Sequence, residues 1–186
     1  MNNKKKIFTI LLIFALFVGG ASVLYKQLVK GTNVDQLSNQ QNQDDSKQLE
    51  QAPDFVVYDV QGNEVKLSDY IGKPIVLNFW ASWCPPCKME MPDFNEMHLE
   101  LGEDIEFLMI NVTDGSRETL KTASDYIADN KYTFTVLYDL KSNASSIYGV
   151  RSMPTTFFIN SEGYLVAYAT GAIDLATLKR GIDMIK

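Results

Sequence analysis

Cys84 and Cys87 are the only cysteines in a chain of 186 residues, and they stand two residues apart in Trp83-Cys84-Pro85-Pro86-Cys87. The apolar run Ile75 to Trp80 before them reads as a buried strand, so the pair falls where a strand passes into a helix. If the helix begins near Cys84, the first sulfur faces the unpaired amides of the first turn, whose partial positive charge stabilises a thiolate. Cys84 is then the nucleophile. Cys87, one turn deeper, is placed to attack a mixed disulfide on Cys84 and release the partner reduced. Pro85 and Pro86 suit a first helical turn, because proline presets φ and lacks an N–H that would have no partner there. They also remove donors that would have stabilised the thiolate.

Two blander readings compete. Zinc usually takes four Cys or His ligands at paired spacings, and this chain has no other cysteine and only His98. A structural clip closing so small a loop would stabilise little. Redox chemistry is the stronger reading.

The elements that must position this pair follow from local pattern. Phe55 to Val60 alternates and ends at Gln61-Gly62-Asn63, after which Val65 and Leu67 return, predicting a small hairpin. Ser68-Asp69-Tyr70 reads as a helical turn, and Gly72-Lys73-Pro74 breaks the chain before the strand at 75–80. The helix after Cys84 is expected to run to Leu101 and stop at Gly102, with Pro92 inside it. Its packed face takes Met91, Phe94, Met97 or His98, and Leu101, at helical spacing. Ile105 to Val112 predicts a second buried strand, Ser116 to Asn130 a helix capped by Ser116, and Phe134 to Tyr138 a third parallel-type strand. Asn143 to Tyr148 reads as a short helix closed by Gly149. The strand beginning at Met153-Pro154 turns at Asn160 to Gly163 and returns as Tyr164 to Ala169. Asp174 to Ile185 is an amphipathic helix. The sum is an α/β domain, a mixed central sheet flanked by helices.

The N-terminus differs in kind. Lys4-Lys5-Lys6 precedes nineteen uncharged residues, Ile7 to Tyr25, enough to span a bilayer as a helix. The lysines would hold the N-terminus in the cytoplasm and place the rest outside. Residues 1–25 are therefore expected to be an uncleaved membrane anchor, with a cleaved signal peptide as the competing reading. Gly19-Gly20-Ala21 is a poor cleavage site, and no lipobox cysteine is present. In either case the cysteines lie outside the cytoplasm, where disulfides persist. Residues 26–52, rich in Asn, Gln, Ser and Asp, read as a flexible polar linker reaching roughly 30 Å, which leaves 53–186 as one domain. Residues 31–186 carry 12 Lys and Arg against 23 Asp and Glu, a net of −11, which excludes nucleic acid as a partner.

Phe79-Trp80-Ala81-Ser82-Trp83-Cys84-Pro85-Pro86-Cys87, followed far downstream by Val150-Arg151-Ser152-Met153-Pro154-Thr155, resembles the thioredoxin superfamily over roughly residues 53–186. Cys84 to Pro92, the anchor and the 103–138 insertion resemble its membrane-anchored TlpA/ResA branch, which includes reductases of cytochrome c maturation. The resemblance implies a thioredoxin-like fold with an N-terminal β-hairpin extension and a central insertion. It also implies a redox-active Cys84–Cys87 disulfide and no cofactor. Pro154 matches the family's cis-proline, whose loop lets the Met153 backbone pair with a client. Trp83, Pro85 and Pro86 would complete the client-binding rim. Glu90 matches the branch's acidic residue, three positions past Cys87 on the same helix face, where a half-buried carboxylate could exchange protons with the resolving thiol. Asn78 stands where thioredoxin has a buried Asp, and an amide cannot accept a proton. Trp80 reads as a shield of the site or as plain core, and Lys88 as a solvated helix lysine.

The expected activity is thiol–disulfide oxidoreduction at the cell membrane. The clients would be secreted or membrane proteins carrying disulfides, apocytochrome c among them, and the electron donor a membrane carrier of the CcdA or DsbD type. A disulfide-donating oxidase is the alternative in direction. A copper-delivery protein is the alternative in class, prompted by Met89, Met91, Met97 and His98. Copper-delivery relatives, however, space their cysteines three apart and use a histidine far downstream, and no histidine follows His98. A peroxidase reading lacks the Pro and Thr pattern around the cysteine.

Overall fold

The computed structural model describes residues 37–39 and 49–186. The segment expected to be an anchor lies outside the described residues, as does most of the expected linker. Among the described residues no helix is long and apolar enough to cross a membrane.

The strands are β1 (Ser38–Asn39), β2 (Val56–Tyr58), β3 (Glu64–Lys66), β4 (Ile75–Trp80), β5 (Glu106–Asn111), β6 (Thr135–Tyr138), β7 (Thr155–Ile159) and β8 (Leu165–Thr170). The helices are α1 (Pro85–Leu101), α2 (Leu120–Asn130), α3 (Asn143–Ile147) and α4 (Leu175–Asp183), with a 3₁₀ turn at Leu67–Tyr70. They form one mixed sheet in the order β1-β8-β7-β4-β5-β6-β2-β3. The inner strands β4, β5 and β6 run parallel, as their helical crossovers require, while β7 and β8 are antiparallel. The predicted hairpin β2–β3 joins the sheet through a single pairing, Tyr58 with Tyr138. Of the stretch read as linker, Ser38–Asn39 pairs with β8, Leu37 is buried, and Ala52 donates its N–H to Gly163.

The period-two alternation of β4 decides what faces what. Ile75, Leu77 and Phe79 point into the core on one side, with Phe55, Leu108, Ile110 and Ile159. Val76 and Trp80 point into the core on the other side, with Met91 and Phe94 of α1 and Leu178 and Ile182 of α4. Asn78 lies between Val76 and Trp80 on that second face and is fully buried. The same argument puts Asn111 of β5 on the face of Phe107 and Met109. Both asparagines are thereby sent toward the α1 side.

Helix α1 starts and stops as predicted: Cys84 is its N-cap, Pro85 and Pro86 open it, and Gly102 caps its end, with an N–H bond to the His98 carbonyl. Helix α2 does not begin at Ser116. Asp114 captures the N–H groups of Ser116 and Glu118, and Thr119 caps the helix reciprocally with Thr122, so it opens at Leu120. Helix α4 sits close on β7 because position 181 is glycine. A Cβ there would lie 2.2 Å from the Phe158 ring.

Candidate active site

The site is built where β4 ends and α1 begins. Cys84 has extended backbone angles, φ −85° and ψ 109°, as an N-cap requires, and its Sγ accepts the Cys87 N–H at 3.3 Å. That amide is one of the first-turn donors that two prolines leave in place. Cys84 and Cys87 are joined as a disulfide, and they are 3% and 0% exposed. Opposite Cys84 the Met153–Pro154 peptide is cis, and the Met153 carbonyl oxygen lies 3.7 Å from Cys84 Sγ. A disulfide sulfur carries no hydrogen, so this is a contact. A reduced thiol could donate there.

Glu90 is 2% exposed, on the buried face of α1 that also carries Cys87, Met91 and Phe94. Its Oε1 accepts the Asn78 side-chain N–H at 2.8 Å, and its Oε2 accepts the Ile173 N–H at 3.0 Å. Burial pushes its carboxyl up to about 7, with Asp93 adding to the rise and the Ile173 and Asn78 donors opposing it. The amide of Asn78 also donates to Thr156 Oγ1, its antiparallel partner on β7, at 3.0 Å, which leaves Asn78 Oδ1 buried without a partner. Glu90 thus shares the buried face with Cys87, but its two hydrogen bonds go to Asn78 and Ile173, not to either cysteine.

Trp83 is half-buried, and the Arg117 guanidinium lies 3.5 Å from its ring centroid. Pro85 is exposed and Pro86 half-buried at the rim. Trp80 belongs to the core, fully buried against Tyr126. Lys88 is exposed and reaches the Tyr126 ring.

One residue of the site escaped sequence reasoning. Glu118 is completely buried, and its carboxylate accepts the Ser82 N–H at 3.0 Å, the Ser82 hydroxyl at 2.7 Å and the Asn111 side-chain N–H at 2.8 Å. Ser82 directly precedes Trp83 and Cys84, so this carboxylate ties the loop ahead of Cys84 to the end of β5. It lies in a polar run, Thr113 to Thr119, with no hydrophobic period to mark it as interior.

The histidine of the copper and zinc readings does not stand beside the cysteines. His98 lies eleven residues along α1 from Cys87, about 16 Å at 1.5 Å per residue, and packs edge-on to Phe107 and Phe134. Among the described residues no three His, Cys, Asp or Glu side chains are grouped to hold a metal.

Residues 49–168 match the family model described as the AhpC/TSA family. The chain is 36% identical over 136 residues to thiol-disulfide oxidoreductase ResA of Geobacillus thermodenitrificans, covering 73% of this chain and 76% of that one. It is 32% identical over 136 residues to thiol-disulfide oxidoreductase ResA of Bacillus subtilis, covering 73% and 74%. Among solved structures, a Chlorobium tepidum protein described as a thiol:disulfide interchange protein DsbE superposes with a TM-score of 0.65 at 31% identity, covering 73% of this chain and 95% of that one.

Proposed function

The chain belongs to the thioredoxin-like AhpC/TSA family and is a thiol-disulfide oxidoreductase, and from that premise we propose that it is a membrane-tethered, extracytoplasmic reductase of client disulfides. One observation carries the site assignment: Cys84 is the N-cap of α1, with its sulfur on the Cys87 amide and against the Met153 carbonyl. In the reduced protein the Cys84 thiolate attacks one sulfur of a client disulfide, and the other client sulfur leaves as a thiolate. The Cys87 thiolate then attacks Cys84 Sγ, the second client sulfur leaves, and the Cys84–Cys87 disulfide closes. Two electrons pass to the client, and two protons end on its thiols. Glu90, with a proton affinity near neutrality, holds and returns the proton of the resolving thiol. Met153 and Pro154 offer backbone to the client, and Trp83, Pro85 and Pro86 form the rim it meets.

The tether rests on Lys4 to Lys6 and the apolar stretch Ile7 to Tyr25. Apocytochrome c is the client and a CcdA- or DsbD-type carrier the electron donor, a reading supported by the likeness to the ResA proteins. The test is the reduction potential of the full-length chain, set by equilibration with glutathione or dithiothreitol buffers. A value near or below roughly −270 mV fits a reductase, and one near about −120 mV makes it a disulfide donor instead. Cys84→Ser abolishes turnover of a disulfide substrate, whereas Cys87→Ser accumulates the mixed disulfide. Persistence of full activity in Cys84→Ser removes the nucleophile assignment.

A further inference from the structure

A cavity of about 400 Å³ opens beside the cis-proline loop, lined by Tyr148, Arg151, Thr155, Phe157, Tyr168 and Thr170 among others. We propose that it is a subsite for the client: it takes an aromatic side chain near the attacked cysteine, in a segment that also carries an acidic residue. The inference rests on the oxidoreductase reading and adds a substrate preference to it.

Continuity makes the first argument. The cavity wall and the loop that touches Cys84 are one piece of chain, Arg151 to Thr155, and Gly171 donates its N–H to the Pro154 carbonyl, which ties the same loop to the end of β8. A client held at Met153 and extended past Arg151 reaches the cavity about two or three residues from its cysteine, at roughly 3.3 Å each.

The lining then specifies what enters. Phe157 stands between two tyrosine rings, edge-on to Tyr148 at 4.9 Å and stacked with Tyr168 at 6.0 Å, which is a surface for another ring. The Tyr148 hydroxyl is buried without a partner, and Thr155 and Thr170 add hydroxyls, so a polar atom on the entering ring meets donors and acceptors. The volume falls within the range of small-ligand pockets, which is ample for one large side chain.

Charge completes the description. The chain has only three arginines. Arg117 lies on Trp83, and Arg151, exposed and with no ion pair among the described residues, stands two residues before Met153. Two of the three therefore flank the nucleophile, although residues 31–186 are strongly acidic. Such an arrangement favours an acidic client segment at the site and repels acidic proteins elsewhere.

The experiment uses the full-length chain, reduced beforehand, in single-turnover reactions followed by tryptophan fluorescence. The probes are homodisulfides of short peptides that differ only beside the cysteine: a Glu and Tyr pair, a Glu and Gly pair, and a Lys and Tyr pair. Bis(2-hydroxyethyl) disulfide, which has no side chain to place, is the reference. The Glu and Tyr peptide is expected to react about tenfold faster than the Glu and Gly peptide. Thr170→Trp, an exposed position whose new ring fills the cavity, brings that ratio to within about twofold while the small disulfide reacts as before. Arg151→Glu reverses the order of the Glu and Tyr peptide and the Lys and Tyr peptide. Equal rates for all peptides, or a preference that survives Thr170→Trp, overturns the subsite and leaves the oxidoreductase standing. Failure of the unaltered chain to reduce the small disulfide strikes the underlying reading, and the subsite falls with it.

Discussion

Two adjacent parallel strands each send a buried asparagine toward the α1 side of the sheet, and each asparagine donates to a buried glutamate at 2.8 Å: Asn78 to Glu90, and Asn111 to Glu118. The two pairs nevertheless do different work, because the remaining partners differ. Glu118 receives three hydrogen bonds, two of them from Ser82, and so fastens the loop ahead of Cys84 to β5. Glu90 receives only two, and for it desolvation outweighs the donors, leaving a carboxyl that titrates near 7 on the face it shares with Cys87. What a buried carboxylate does in the fold therefore depends on which segments its donors belong to.

Removing the carboxylate at each position should give unlike results. Glu118→Ala strands the Asn111 amide and the Ser82 N–H in the interior, at a cost of about 4 kcal/mol, read as a loss of stability in urea unfolding. A loss below about 1 kcal/mol would mean that the loop is not held by this residue.

Glu90 is expected to reveal itself through pH. Its folded-state proton affinity lies above the ordinary carboxyl value of 4.5, so its stabilising contribution is complete below about pH 4.5 and is lost as pH rises through about 7. The displacement corresponds to about 3 kcal/mol. Glu90→Gln should flatten that part of the stability profile and gain stability above pH 7 relative to the parent. Its resolving step should slow by about 100-fold and lose its inflection near pH 7, read from the decay of the mixed disulfide across pH. A profile unchanged by the substitution would show that the proton of the resolving thiol goes elsewhere.

The smallest effect belongs to Arg117. Its stacking on Trp83 is exposed, so Arg117→Ala should cost no more than about 1 kcal/mol and leave reduction of a small disulfide within about twofold. A larger loss would place Arg117 with Glu118 among the groups that hold the loop.

Local pattern accounts for much of this fold. The run Ile75 to Trp80 is apolar at every position but Asn78 because the strand is covered on both faces. Helix α1 could be bounded from the prolines behind Cys84 and from Gly102, since proline and glycine act on the backbone at the position where they stand. The start of α2 was less legible. Ser116 and Thr119 are both competent caps, and the choice was made by Asp114, whose carboxylate holds Ser116 in the loop.

The residue types alone put Cys84 and Cys87 forward as nucleophile and resolving thiol, because a helix start polarises whatever stands there, and the two sulfurs need only a single turn to meet. Glu90 could be put on the same face by spacing. Its elevated proton affinity could not be read, because it comes from burial that only the fold creates, offset in part by the Ile173 amide, 83 residues away, and by Asn78 of a neighbouring strand. The tertiary structure alone brought Glu118 under Ser82, Arg117 onto Trp83, and Arg151 beside an aromatic cavity. Hydrogen bonds and ring contacts between distant segments are specified by topology and register, and a charged residue in a polar stretch carries no local mark of where the fold will take it.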